Sequence, residues 1–367
     1  MSDADKIKPL SVYIHWPYCK SKCPYCDFFK RVNPNVNQEE IVAAYIKELD
    51  YYHNLVPNRA IRSVFFGGGT PSLLKPELIN KLLNHIAKLW SFEDNPEISL
   101  EANPNSEYPE MFARLKQAGI NRLSLGIQAL NDADLHFLGR THNLKQALHS
   151  IDEVLNTFNN HSADFIYTRP EQTLKDWEQE LGLITGFGFK HLSLYQLTIE
   201  EGTVFAAKRV KIPDEESAAN MYNFTVNILR ETGYPRYEVS NFAAEQYQSK
   251  HNKCYWLGDD YIGIGESAHG RLKIGNCHYA FVHPRLKTAL SAQERAEELI
   301  IMGLRLQTGI NKKHFAQISG LNFDDFVNNR ALNEFVQNGL LINTAENISA
   351  TDKGFMLLNY VINEICA

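Results

Sequence analysis

The sequence predicts an α/β fold: a partial six-unit (β/α) barrel of the TIM type, followed by a C-terminal helical domain of winged-helix form. Three observations lead there. Over the first 240 residues, short β-branched or aromatic runs alternate with longer amphipathic stretches. The chemically unusual residues fall at the ends of the short runs. The chain has 367 residues, enough for one large barrel with an appendage.

In chain order, strands are expected at Ser11–Trp16, Ser63–Phe66, Glu97–Glu101, Arg122–Gln128, Ala163–Tyr167 and His191–Leu197. Between them, segments such as Glu39–Tyr52 and Pro76–Trp90 carry apolar residues at helical spacing and are long enough for crossover helices. A cysteine-rich loop follows strand one, and Gly67-Gly68-Gly69-Thr70-Pro71 follows strand two. Glu101-Ala102-Asn103-Pro104 ends strand three, and Gln128 ends strand four. Carboxyl ends of parallel strands are where such folds build their sites, so one site can collect all of these residues. Residues 1–240 are therefore read as the barrel. Residues 241–295 are read as a connecting segment with a polar loop around His251, entered by a strand at Tyr237–Phe242. Residues 296–367 are read as the winged-helix-like domain, in which Thr351 caps a last helix starting at Asp352.

Composition narrows the partners. Lys and Arg number 37 against 43 Asp and Glu, a formal charge of −6, and no long basic run supplies the field that nucleic-acid binding needs. The C-terminal segment, with five basic and eight acidic residues, disfavours a DNA-binding wing. No stretch approaches the roughly 18 apolar residues of a membrane span, and the opening Met-Ser-Asp-Ala-Asp-Lys has no apolar core of a signal peptide. The expectation is a cytoplasmic protein with no integral membrane segment and no nucleic-acid partner.

Half of the six cysteines lie within eight positions, at Cys19, Cys23 and Cys26. A structural zinc wants four N or S ligands, and a thioredoxin-like site wants only a Cys-x-x-Cys pair. Three thiolates suit a [4Fe–4S] cluster with one iron left open to a small molecule, which points to catalysis or binding more than to scaffolding.

Cys19-x3-Cys23-x2-Cys26, with aromatic Tyr25 before the last cysteine, resembles the signature of the radical S-adenosylmethionine (SAM) superfamily. The longer run Tyr13-Ile14-His15-Trp16-Pro17-Tyr18-Cys19 and Cys23-Pro24-Tyr25-Cys26-Asp27-Phe28 is similar to oxygen-independent coproporphyrinogen III oxidases and the related heme chaperones of the HemW type. The resemblance covers nearly the whole chain. It implies a [4Fe–4S] cluster on Cys19, Cys23 and Cys26, whose free iron chelates SAM and whose electron cleaves it to a 5′-deoxyadenosyl radical. It also implies a SAM site made by Tyr25, Gly67, Gly68, Thr70, Glu101, Gln128, Arg140 and Asp164. In that site the glycines face the methionine end, Arg140 suits a carboxylate through its planar fork, and Asp164 accepts a ribose hydroxyl. One stretch departs from the pattern. Where the family reads Asp-Leu-Ile-Tyr-Gly-Leu-Pro, this chain reads Asp164-Phe165-Ile166-Tyr167-Thr168-Arg169-Pro170, which puts a side chain and a charge near the expected cofactor.

Two features separate the branches. The oxidases carry a further cysteine where this chain has Phe28, and a longer segment before strand one. His251-Asn252-Lys253-Cys254-Tyr255-Trp256 matches the motif of the heme-chaperone branch. That resemblance implies heme as a ligand, with His251 its axial residue, and apo-hemoprotein acceptors, those of the respiratory chain among them; delivery there would involve a peripheral visit to the membrane, for which the sequence shows no amphipathic anchor. If SAM is cleaved, it also implies an electron donor such as a flavodoxin or ferredoxin. The alternative is an enzyme, the oxidase that decarboxylates coproporphyrinogen III to protoporphyrinogen IX.

Overall fold

The computed structural model describes residues 8–33, 35–104, 110–283 and 286–366. Strand β1 (Lys8–Trp16) leads into β2 (Tyr18–Cys19) and β3 (Arg31–Val32), two short strands that pair with each other and close the cysteine loop at its base. Then come α1 (Gln38–Leu55), β4 (Arg59–Gly68), α2 (Pro76–Leu89), β5 (Ser91–Ala102) and α3 (Met111–Gln117). The barrel portion continues with β6 (Arg122–Gln128), α4 (Asp132–Phe137), α5 (Leu144–Thr157), β7 (Asn160–Tyr167), α6 (Leu174–Gly186) and β8 (His191–Gln196). The six expected strands and both named helices are thus present. Strands β1 and β4 through β8 pair in parallel in that order. Helix starts are capped by side chains: Asn143 and Gln146 form a capping box on α5, as do Thr173 and Asp176 on α6.

After α7 (Val204–Ala207) and α8 (Glu215–Glu231), β9 (Asn241–Ala243) pairs antiparallel with β8. Here the structure differs from the sequence reading in two ways. The polar loop expected around His251 is helix α9 (Lys250–Leu257), capped by Ser249, whose side chain accepts from the Asn252 N–H. Asn252 and Lys253 make the stretch look polar, yet His251 and Cys254 share a buried face. Beyond it, β10 (Tyr261–Ile264) pairs in parallel with the outer edge of β1. A meander of β11 (His269–Ile274), β12 (Cys277–Val282) and β13 (Leu286–Leu290) then continues the sheet. The result is one eleven-stranded sheet, β13-β12-β11-β10-β1-β4-β5-β6-β7-β8-β9, that curls without closing.

Register shows why it curls around polar residues. Ser11 pairs with Ser63, and Tyr13 with Phe65. Ser63 pairs with Glu97, Glu101 with Ser124, Ser124 with Ser162, Gly126 with Asp164, and Asp164 with Ser193. Paired residues point to the same side, so every strand presents Ser, His, Glu, Asp, Arg or aromatic groups to the barrel interior. The alternate residues, Leu10, Val12, Ile14, Val64, Phe66, Leu100, Leu123, Leu125, Phe165 and Leu192 among them, form the core under the helices.

Helix α9 closes the lower end of this interior. The buried Glu97 carboxylate accepts from the backbone N–H of Lys250 (2.9 Å) and of His251 (3.1 Å), and from the Ser249 hydroxyl. The buried Arg122 lies 3.9 Å from Glu97. The C-terminal domain has a core of its own and comprises α10 (Ala292–Gly303), β14 (Ile310–Asn311), α11 (Lys312–Ser319), α12 (Phe323–Phe326), α13 (Asn329–Gln337), β15 (Leu341–Asn343), β16 (Asn347–Ala350), α14 (Asp352–Met356) and α15 (Leu358–Cys366). Its strands form the small antiparallel sheet β14-β16-β15, and Thr351 caps α14 by accepting from the Gly354 N–H. Among the described residues, no helix is long and apolar enough to cross a membrane.

Glu97→Ala leaves Arg122 buried without its carboxylate and the first turn of α9 without an acceptor. Equilibrium urea unfolding of the variant should show a loss of about 3 kcal/mol or more. A loss below about 0.5 kcal/mol, the range of an ordinary surface substitution, would contradict this role for α9.

Candidate functional site

The carboxyl ends of β1 and β4 through β8 surround a cavity of about 350 Å³. Cys19, Cys23 and Cys26 all line it, and all three are free thiols, Cys19 buried and the others half-buried. The loop that carries them is held from several sides. His15 Nε2 lies 3.0 Å from the Phe29 carbonyl, which can only accept, so Nε2 bears the proton and Nδ1 accepts from the Tyr13 hydroxyl at 2.9 Å. Lys30 Nζ donates to the Cys26 carbonyl at 2.6 Å, and the Phe205 N–H donates to the Pro24 carbonyl at 3.1 Å. Burial pushes the Cys19 thiol up, against a hydrogen bond from Thr70 that pulls it down.

The glycine turn after β4 interlocks with the same loop. The Gly69 N–H donates to the Trp16 carbonyl at 2.7 Å and the Thr70 N–H to the Tyr18 carbonyl at 2.9 Å. Gly68 has φ +111°, and a Cβ there would meet the His15 ring at 2.6 Å. A Cβ on Gly69 would meet the backbone of residues 16 to 18 at 2.8–2.9 Å. Gly68, Gly69 and Thr70 line the cavity, whereas Gly67 faces the layer below, where a Cβ would meet Tyr13 at 2.9 Å.

Glu101 and Asp164 enter from neighbouring sides of the interior. The Gly68 N–H donates to Glu101 Oε2 at 3.3 Å, and the Ser124 hydroxyl bridges both Asp164 oxygens at 2.9 and 3.1 Å. Burial, then the charge of Asp164, pushes the Glu101 carboxyl up to about 8. Burial likewise raises Asp164, opposed by hydrogen bonds from Ser193 and Ser124. Gln128 reaches the cavity from a bulge in β6, at φ +76°.

Arg140, expected to bind a carboxylate, lines the cavity. Its fork donates to Cys23 Sγ (3.5 Å), the Tyr25 hydroxyl (3.4 Å), the Gly126 carbonyl (2.9 Å) and Asn103 Oδ1. It therefore ties the cysteine loop to β5 and β6. Asn103, in turn, donates to Thr70 Oγ1 at 3.4 Å. Asn103 was legible as the polar residue after Glu101 at the end of strand three. Tyr195, Gln196 and Leu197, at the end of the sixth expected strand, and Thr198 and Glu200 beyond it form the opposite wall.

Three expectations are corrected. Thr168 and Arg169 lie outside the cavity lining. The Arg169 guanidinium turns outward into a buried cluster, donating to the Ile166 carbonyl at 2.6 Å and pairing with Glu180 (2.5 Å) and Asp134 (3.0 Å). His251, expected as an accessible heme ligand, has no exposed surface. Its Nδ1 lies 2.9 Å from Ser63 Oγ and its Nε2 2.7 Å from the Tyr255 hydroxyl, with Phe65 stacked on the ring at 5.0 Å. Both nitrogens are used inside the lower barrel, and burial holds the imidazole neutral, pulled down to about 3.

Comparison with known proteins bears on what this cavity is. Residues 13–184 match the radical SAM superfamily, and residues 290–357 match the HemN C-terminal domain. The chain is 33% identical to the heme chaperone HemW of Buchnera aphidicola subsp. Schizaphis graminum, over 97% of this chain and 98% of that one. It is 34% identical to the heme chaperone HemW of Lactococcus lactis subsp. lactis, over 97% of each. The mitochondrial radical S-adenosyl methionine domain-containing protein 1 of Bos taurus is 33% identical over 96% of this chain and 86% of its own length. The fold is that of Escherichia coli coproporphyrinogen III oxidase (HemN), with a TM-score of 0.80 at 22% identity, covering 98% of this chain and 91% of that one. The chain belongs to the radical SAM superfamily, in the family of HemW-type proteins.

Superfamily membership implies a [4Fe–4S] cluster and SAM. The residues present fit both: three free thiols on one braced loop, and beside them a half-buried carboxylate pair and a guanidinium. Among the described residues, no three His, Cys, Asp or Glu side chains converge as a mononuclear metal site requires; a cluster instead takes each thiolate on a separate iron.

The high Glu101 value sets a pH dependence for the cofactor-free protein. An unfolded glutamate loses its proton near 4.5, the folded Glu101 near 8. Relative to Glu101→Gln, the wild type should hold its stability below pH 4.5, lose it progressively between 4.5 and 8, and change no further above. Urea unfolding of both proteins at pH 5, 7 and 9 measures this, and a difference that stays constant across the series would contradict it.

Proposed function

We propose that this protein is a heme chaperone built on a radical SAM scaffold, one that binds heme and passes it to apo-hemoproteins, those of the respiratory chain among them. The observation that carries the reading is its identity of 33–34% with heme chaperones HemW over nearly their whole length. Phe28 supports it: where the oxidases carry a further cysteine, an exposed phenyl ring stands at the cavity edge.

In this reading Cys19, Cys23 and Cys26 hold the cluster, and Tyr25, Gly68, Thr70, Glu101, Gln128, Arg140 and Asp164, which line the same cavity, hold SAM. When bound, the cluster and SAM supply one-electron chemistry in the cavity. The protein's own contribution is positional. His15 and Arg140 fix the cysteine loop, and the Ser124 hydroxyl orients Asp164. Protonated near neutral pH, Glu101 can release its proton to bind a cationic amine, so a zwitterionic ligand meets acidic groups on one side and the cysteine loop on the other.

Anaerobic heme titration of the cluster-reconstituted protein, followed by absorbance, tests the reading. It predicts saturable binding near one heme per chain, and movement of that heme to an added apo-hemoprotein. Weak, non-saturating binding, together with anaerobic turnover of coproporphyrinogen III, would contradict it and favour the oxidase.

A further inference from the structure

A strained turn after β7 has no role in the site described above. Thr168, directly after β7, has φ +56°, a conformation costly for a β-branched residue and easy only for glycine. Nearby, Glu171 is also left-handed, at φ +61°. Such backbone persists only where its surroundings over-determine it.

Here they do. Thr168 is 1% exposed. Its hydroxyl donates to the Tyr167 carbonyl at 2.6 Å and accepts from the Leu197 N–H at 3.0 Å. The same Leu197 N–H also reaches the Tyr167 carbonyl at 2.8 Å. The last paired rung of β7 and β8 is Tyr167 with Gln196, so the hydroxyl adds one further link just beyond the ladder. From below, Arg169 anchors the turn through the Ile166 carbonyl and Glu180, which in turn accepts from the Leu130 N–H at 2.8 Å after β6. In the segment pinned by this link, Gln196, Leu197, Thr198 and Glu200 line the cavity, as Asp164 does.

From this geometry we infer that the Thr168 hydroxyl is a clamp that holds the Leu197 wall in place for SAM, with the backbone strain sustained by the Arg169–Glu180 anchor. Thr168 is thus a positioning residue: it touches no ligand and acts through Leu197. The inference rests on the reading of the cavity as a SAM site. It separates affinity from stability. Glycine at 168 relieves the strain and removes the hydroxyl, alanine keeps the strain without the hydroxyl, and serine keeps the hydroxyl.

Equilibrium SAM binding to cluster-reconstituted full-length wild type, Thr168→Ser, Thr168→Ala and Thr168→Gly tests it, with urea unfolding of each beside it. Expected are wild-type affinity in the serine variant, and SAM binding weakened about fivefold in both alanine and glycine, the worth of one buried hydrogen bond. The glycine variant should be no less stable than the alanine variant. Wild-type SAM affinity in Thr168→Gly, or affinities that follow stability and ignore the hydroxyl, would overturn the clamp while leaving the SAM site standing. No SAM binding by the reconstituted wild type would overturn the SAM site and the clamp with it.

Discussion

Everything in this molecule depends on a polar inner face inside a parallel sheet. Strands β1 and β4 through β8 send apolar residues outward to the helices and Ser, His, Glu, Asp or Arg inward, and groups of that kind are costly to bury without partners. The structure satisfies them in two ways. At the lower end the protein supplies the partners itself: helix α9 brings its N-terminal N–H groups to Glu97 and its His251 ring to Ser63. At the upper end Glu101 and Asp164 share a cavity with the cysteine loop and with Arg140, whose guanidinium donates to Tyr25, Cys23 and Asn103. The sheet's open curl therefore has a stabilising end and a ligand end.

This division explains what became of the motif carrying His251. As sequence it reads as a polar loop offering ligands. As structure it is the stopper of the lower barrel, its histidine neutral and doubly hydrogen-bonded. The cysteine loop is the opposite case, a segment with no regular structure of its own beyond the β2–β3 pair, braced by His15, Lys30, Arg140 and the glycine turn. Rigidity reaches it from the strands below through side chains, the arrangement a site needs if its geometry is to survive ligand exchange.

Much of this was legible in the sequence, for identifiable reasons. The six strands showed because their apolar runs are bounded by Gly, Pro and polar punctuation, and the Thr351 cap followed the same logic, although the helix it opens, α14, is followed by α15 and is not the last. Cys19, Cys23, Cys26, Thr70, Glu101, Gln128 and Asp164 were found because they end strands or share a signature, and all of them line one cavity. The period-2 alternation of Ser11, Tyr13 and His15, or of Glu97, Ser99 and Glu101, was also present in the sequence, and it is what announces a polar interior. The rest depended on three-dimensional contact. That Arg140 spends its fork on the cysteine loop, that Arg169 turns outward to Glu180, and that residues 241–295 extend the sheet through β10 are decided by neighbours far away in the chain.

The central claim is that the upper cavity holds a [4Fe–4S] cluster on Cys19, Cys23 and Cys26, with one iron open to SAM. Electron paramagnetic resonance of the anaerobically reconstituted, reduced protein, recorded with and without SAM, tests it most directly. The account predicts a cluster signal that changes on adding SAM and that is lost when all three cysteines are replaced by serine. A signal indifferent to SAM, or one that survives that replacement, would contradict it.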